Sequence, residues 1–113
     1  MRKFLRRRIK ANMQRDTWFL MKQRKVMWYV YIVECADKTL YTGITTDVQR
    51  RLVEHNHKST GAKYTRSRRP VKLIASKTVA TQSQALKLEA KIKSLKRKNK
   101  VNYLNEWVNP NEN

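Results

Sequence analysis

Cysteine is nearly missing from this 113-residue sequence: Cys35 stands alone. With one thiol no internal disulfide can form, and a zinc site built from several cysteines is excluded. That usage fits a reducing, intracellular compartment. Long apolar runs are missing too, since no stretch approaches the roughly 20 apolar residues that span a bilayer. Acid is scarce: eight Asp and Glu stand against 27 Lys and Arg, a formal net charge of +19. Self-repulsion on that scale works against folding unless a polyanion neutralises it. Nucleic acid is the natural partner, and an anionic membrane surface is the weaker alternative. No internal repeat is visible, and the length suits one small domain with a compact core.

Residues 1–26 have no glycine, no proline and no strand-like run, and one acid, Asp16, faces ten basic side chains. Three readings compete for this segment. It is a flexible basic arm that grips phosphates, an Arg-rich and acid-poor targeting sequence, or an upstream extension of a domain that begins at Met27. An extension or arm with little fixed structure is the favoured reading. An ordered domain over 27–108 and a polar tail over 109–113 complete the organisation.

What is present begins at Trp28. Trp28-Tyr29-Val30-Tyr31-Ile32-Val33 is aromatic and β-branched and apolar on both faces, which predicts a central strand. Leu40-Tyr41-Thr42-Gly43-Ile44 predicts a second strand after a polar turn. A three-residue loop over Ala36 to Lys38 pairs Tyr31 with Gly43 and Val33 with Tyr41, which puts Tyr31 and Tyr41 on one face. A two-residue loop puts them on opposite faces. Gly43 then leaves a gap where a ligand backbone can approach closely.

Thr46-Asp47-Val48-Gln49 has the form of a capping box and predicts a helix to about His55 or His57, with Val48, Leu52 and His55 inward. Arg51 and His55, four apart, stand one above the other on its side. Lys58 to Pro70 reads as a basic loop. Val71 to Ala75, continuing toward Val79, predicts a third strand. Thr81-Gln82-Ser83-Gln84 repeats the capping-box form, and Ala85, Leu88, Ile92 and Leu95 make the apolar stripe of a second helix. Glu89 is the only acid from Val71 to Lys100 and lies at the edge of that stripe. A last short helix carries Val101, Leu104 and Trp107. The order β-β-α-β-α-α gives an α+β domain, a three-stranded antiparallel sheet covered by helices.

Each of these residues has an ordinary explanation. Tyr29, Tyr31 and Tyr41 suit cross-strand packing. Arg51 and His55 suit a solvated helix face, and Glu89 suits an i,i+4 pair with Lys93. Cys35 reads as a buried small residue. Trp28 and Trp107 read as core. In the basic loop, Lys63, Tyr64, Arg66, Arg68 and Arg69 interleave cations with one aromatic, a composition suited to tracking phosphates with little reading of bases.

Taken together and in order, residues 28–108 resemble the GIY-YIG nuclease superfamily, specifically its small stand-alone bacterial-type members. Tyr29-Val30-Tyr31 and Tyr41-Thr42-Gly43 stand at the two name motifs. Arg51 and His55 stand where the family has an arginine and a histidine on its first helix. The run from His55 to Arg66 and the triplet Arg68-Arg69-Pro70 also look like the small subfamily. Tyr29 replaces the first glycine of the motif and Thr42 its isoleucine. For the asparagine that larger members carry near the domain end, Asn99 and Asn102 are the candidates.

The resemblance implies hydrolysis of phosphodiester bonds, in DNA with low sequence specificity. Glu89 would hold one Mg²⁺ or Mn²⁺ as a hard oxygen ligand. Arg51 would fork onto the non-bridging oxygens. Tyr31 would take a proton from water, directly or through His55, provided that Arg51 or Lys63 depresses its phenol from a pKa near 10. His55, titrating nearer neutrality, is the alternative base, and Tyr41 would orient phosphate or water. Gly43 and the five loop residues would contact nucleic acid. The expected location is cytoplasmic or nucleoid-associated, with no membrane and with a protein partner as one source of specificity. The rival reading is a catalytically silent nucleic-acid-binding module on the same fold.

Overall fold

The computed structural model describes residues 26–110. The basic extension expected over 1–26 therefore lies outside the described residues except for Val26, and the tail does so after Pro110. The elements run β1 (Trp28–Glu34), β2 (Leu40–Thr45), α1 (Val48–His57), α2 (Lys63–Arg66), β3 (Lys72–Val79), α3 (Gln82–Lys93) and α4 (Arg97–Glu106). The sheet is antiparallel in the order β2-β1-β3, so the strand that is apolar on both faces is the central one.

The hairpin takes the three-residue loop. Cys35 donates to the Thr39 carbonyl at 2.8 Å and accepts from the Lys38 amide at 2.9 Å. Lys38 sits in the left-handed region at φ 69°, as the third residue of such a loop requires. The register follows: Tyr31 opposes Gly43 and Val33 opposes Tyr41. Between Ile32 and Val33 the pairing with β3 slips by one, leaving Ile74 as the bulged residue.

The two faces of β1 feed separate clusters. Val30 and Ile32 pack against Ala85, Leu88 and Ile92 of α3 and Leu104 of α4, with Trp28 and Trp107 partly buried around them. Tyr31 and Val33 pack with Cys35 and Val71, and with partly buried Tyr41, Leu73 and Leu52 of α1. Helices thus cover both sides of a small sheet, and the tyrosines belong to the side that α1 covers.

Two local expectations shift. The cap of α1 is Asp47, not Thr46: the Asp47 carboxylate accepts from the Arg50 amide at 3.0 Å. The stretch from Lys58 to Pro70 is not all loop, because one helical turn, α2, forms within it after Ala62. Gly61 permits that turn to close on α1, since a Cβ there would meet the Glu54 carbonyl oxygen at 2.5 Å. At α3 the expected Thr81 cap forms, accepting from the Gln84 amide at 3.1 Å, while the Gln84 side chain accepts from the Ala80 amide at 3.1 Å in place of that of Thr81. No helix among the described residues is long and apolar enough to cross a membrane.

Candidate active site

Gly43 determines where Tyr31 points. A Cβ on Gly43 would lie 2.5 Å from the Tyr31 hydroxyl oxygen and 2.7 Å from its Cζ. The gap expected for a ligand backbone is therefore filled by the Tyr31 ring, which lies across the edge strand β2. Tyr31 is 2% exposed and His55 is 0% exposed. Their side chains meet at 2.6 Å, phenol oxygen to Nε2. The two rings and that of Tyr41 form a triangle, with centroids 6.5 Å apart for Tyr31 and Tyr41 and 5.3 Å for Tyr41 and His55.

The directions of these hydrogen bonds follow from one carbonyl. Thr65 Oγ1 lies 2.9 Å from the Ala62 carbonyl oxygen, and that contact needs a proton, which only the hydroxyl can supply. Thr65 then has only lone pairs left for His55 Nδ1 at 2.8 Å, so Nδ1 carries the hydrogen. Nε2 of the neutral ring is bare and accepts from the Tyr31 hydroxyl. The chain runs Tyr31 to His55 to Thr65 to Ala62, and no buried side-chain nitrogen or oxygen among the described residues lacks a partner.

Burial governs both titrations. It pushes the Tyr31 phenol up to about 12, despite the hydrogen-bonding Arg51 guanidinium beside it. The expected depression by neighbouring cations does not occur, because desolvation of a phenolate outweighs one partly exposed arginine. His55 is pushed down to about 4, first by burial and then by the Arg51 charge. It is therefore a neutral acceptor at pH 7, not a group titrating near neutrality.

Arg51 faces the Tyr31 hydroxyl while also holding Glu54 Oε1 at 2.8 Å and the Thr60 carbonyl at 2.9 Å. Glu89 approaches from α3. Its side chain is 18% exposed and pairs with Lys93 at 3.5 Å, and its charge acts on Tyr31. Lys93 Nζ lies 6.0 Å from the Tyr41 ring centroid, so it joins the carboxylate to the tyrosine face. Tyr31, Tyr41, Arg51 and His55 are thus in one cluster, with Glu89 at its rim. Asn99 and Asn102 are exposed on α4. A cavity of about 420 Å³ opens elsewhere, beside the start of α1 between Tyr29, Asp47 and Thr78.

The five loop residues divide. Arg69 donates to the carbonyls of Glu54, His55 and Lys58, and so closes the C-terminal end of α1. Arg68 holds Asp37 at 3.0 Å and the Tyr64 carbonyl at 2.8 Å, with its guanidinium 3.9 Å from the Tyr64 ring centroid. The Tyr64 ring also stacks beside Tyr41 at 6.0 Å. These three groups are engaged within the protein, because a loop that must close on a helix end uses its cations for carbonyls first. Lys63 and Arg66 are exposed. Two residues escaped sequence reasoning. Thr65, 0% exposed, lies in a run of charge with no periodicity to mark it. Asn56 pairs its amide with both backbone groups of Val71, at 3.0 and 2.7 Å, and ties α1 to the strand beyond the loop.

Residues 27–102 match the model of the GIY-YIG catalytic domain. A UPF0213 protein of Desulfotalea psychrophila is 59% identical over 60% of this chain and 62% of its own length. A UPF0213 protein of Syntrophus aciditrophicus is 53% identical over 69% of this chain and 90% of its own. A solution NMR structure of a protein from E. faecalis superposes with a TM-score of 0.51 at 44% identity, covering 70% of this chain and 83% of that one.

Proposed function

The chain belongs to the GIY-YIG family, and from that premise we propose that it is a metal-dependent endonuclease that hydrolyses phosphodiester bonds in DNA with low sequence specificity. The observation that carries this reading is the oriented chain from Tyr31 through His55 to Thr65, with Arg51 at the Tyr31 hydroxyl. Any buried tyrosine needs one partner for its hydroxyl; a histidine held in one orientation from behind and an arginine at the same oxygen exceed that need.

The phenol is protonated and its hydrogen is committed to Nε2. It therefore acts as a relay: its oxygen takes a proton from the attacking water as its own proton passes to His55. The imidazolium that forms keeps Nδ1–H on Thr65. A bare imidazole held near 4 is a weak acceptor, and the bound substrate corrects this. The Arg51 charge is the second cause of the low value, and a phosphate on that guanidinium offsets it. Substrate binding thus raises the basicity of the group that must take the proton. Tyr41, ring against His55, orients the phosphate or the water.

The donor set fits one hard cation. Glu89 is a single carboxylate at the rim, and no cluster of three or more His, Cys, Asp or Glu able to hold an ion occurs among the described residues. Mg²⁺ or Mn²⁺ tolerates one carboxylate when phosphate and water complete its shell, whereas a structural zinc site does not. Glu89 would hold the ion in place of its present partner Lys93. When bound, the ion supplies Lewis-acid polarisation of the phosphate and stabilises the leaving oxygen.

One observation favours the rival, a silent binding module: Arg51 and Glu89 already have internal counter-charges in Glu54 and Lys93. Plasmid nicking with Mg²⁺ decides between them. Wild type cuts, and Tyr31→Phe and Glu89→Ala lose at least about 100-fold, the lower range for a positioned proton-transfer group. Wild type that binds DNA and never cuts, across metals and pH, removes the enzyme reading.

A further inference from the structure

A second, differently built groove lies between α3 and α4. Its volume is about 230 Å³, and Lys87, Lys91, Leu88, Tyr103 and Trp107 line it. That is below the roughly 300–1,000 Å³ of sites for whole drug-sized ligands, so it suits one flat fragment. Lys87 and Lys91 are four apart on the exposed side of α3 and make one cationic wall. The opposite wall is aromatic, with Lys91 Nζ poised 5.9 Å from the Tyr103 ring centroid. At 3.6 residues per turn, Lys87 and Lys91 each lie roughly 200° around α3 from Glu89, so the groove is on the other flank of the helix from the candidate active site. Neither lysine has an acidic partner among the described residues' ion pairs.

We propose that this groove binds an unpaired nucleotide of a single-stranded nucleic acid, its base against Tyr103 and its flanking phosphates on Lys87 and Lys91. Cations beside an aromatic ring match the two parts of a nucleotide, as in proteins that hold single strands. A duplex buries its bases in the stack and cannot present one to a ring, so the surface selects substrates with an unpaired segment beside the bond to be cut. An α-helix is about 10–12 Å across, and a strand of a few nucleotides crosses α3 from one flank to the other. The inference rests on the nuclease reading for the fate of the strand, not for its capture.

The test is fluorescence anisotropy of the full chain with a labelled oligothymidylate and with a blunt duplex of equal length, over a salt series. Lys87→Gln/Lys91→Gln should flatten the log K against log salt slope for the single strand by about 1.4, two phosphates at about 0.7 each. Tyr103→Leu should weaken single-strand binding at least about fivefold, while Tyr103→Phe keeps wild-type binding. Duplex binding should not change in any of them. Single-strand binding unchanged in the lysine variant, or lost equally for both probes, overturns the proposal. The lysines are exposed, so that arm does not depend on refolding a core residue. If the binding pattern holds and wild type cuts no substrate, flapped or blunt, the groove stands and the nuclease reading falls.

Discussion

Replacing Thr65 by Val tests whether the orientation of His55 matters as distinct from its presence. The exchange keeps the shape of a fully buried side chain and removes one hydroxyl. The Ala62 carbonyl does not go unpaired, since the Thr65 and Arg66 amides also reach it at 3.1 and 3.2 Å. The only group orphaned is His55 Nδ1–H, now without the acceptor at 2.8 Å. A buried donor left alone costs about 1–3 kcal/mol. His55 has a partial way out: moving its hydrogen to Nε2 leaves a bare acceptor at Nδ1 in place of an orphaned donor, and Nε2–H then donates to the Tyr31 oxygen, whose own hydrogen must turn away from the ring. The loss of stability should therefore stay near the low end, about 1–2 kcal/mol, or roughly 4–16 °C in Tm for a domain of this size. Activity should fall further, by about 10²–10⁴-fold, because Tyr31 can no longer hand its proton to a ring nitrogen that already carries one. Thr65→Ser restores both. Urea denaturation, nicking rates and the nitrogen-15 shifts of the imidazole read the three effects separately. Full nicking activity in Thr65→Val with the hydrogen on Nε2 would refute the relay.

Four other perturbations follow from the same structure. His55, with an ordinary value of 6.5, is held down to about 4, so the unfolded chain binds a proton that the folded chain refuses; the resulting stabilisation is complete above about pH 6.5 and is lost as pH falls toward 4, on the order of 2–3 kcal/mol. The difference in urea midpoint between pH 7 and pH 4.5 should shrink in His55→Gln, and an equal difference in both proteins would contradict the burial argument. Gly43→Ala puts a Cβ 2.5 Å from the Tyr31 oxygen and should cost about 1–3 kcal/mol as overpacking does, with nicking lost as the ring is displaced; a change within about 0.5 kcal/mol, the usual range for an inert surface position, would show that the ring has room to move. Arg69→Ala should lower the urea midpoint by about 1.5–3 kcal/mol in stability, since three carbonyls lose a charged donor, and leave the salt slope of DNA binding unchanged. Lys63→Ala/Arg66→Ala should do the reverse, flattening that slope by up to about 1.8 for a duplex.

The fold was legible because its signals are local. The aromatic and β-branched run from Trp28 to Val33, the apolar spacing of Ala85, Leu88 and Ile92, and the Thr81–Gln84 box each name their element within a few residues. The register of the tyrosines was legible as two alternatives, because side chains alternate strictly along a strand and the turn could hold two residues or three; the loop of three in the structure selects the one that puts Tyr31 and Tyr41 on one face. The near-miss at Asp47 had the same origin in reverse: Thr46 and Asp47 are both capping residues, and no local rule chooses between neighbours.

Charge was the least legible property of the site. Arg51, Arg68 and Arg69 look alike in a basic sequence, yet one faces a phenol, one holds Asp37 and one closes a helix end. Their partners are carbonyls and carboxylates brought near by chain closure, and carbonyl positions are not written in side-chain identity. By itself the sequence determined the strand order, the core stripe and the set of groups with chemistry to offer, because burial periodicity and residue type are properties of the chain. Only the tertiary structure decided which way the protons point and how strongly each group holds them. Those depend on desolvation and on one carbonyl at Ala62, which exist only once α1, α2 and the hairpin have closed on one another.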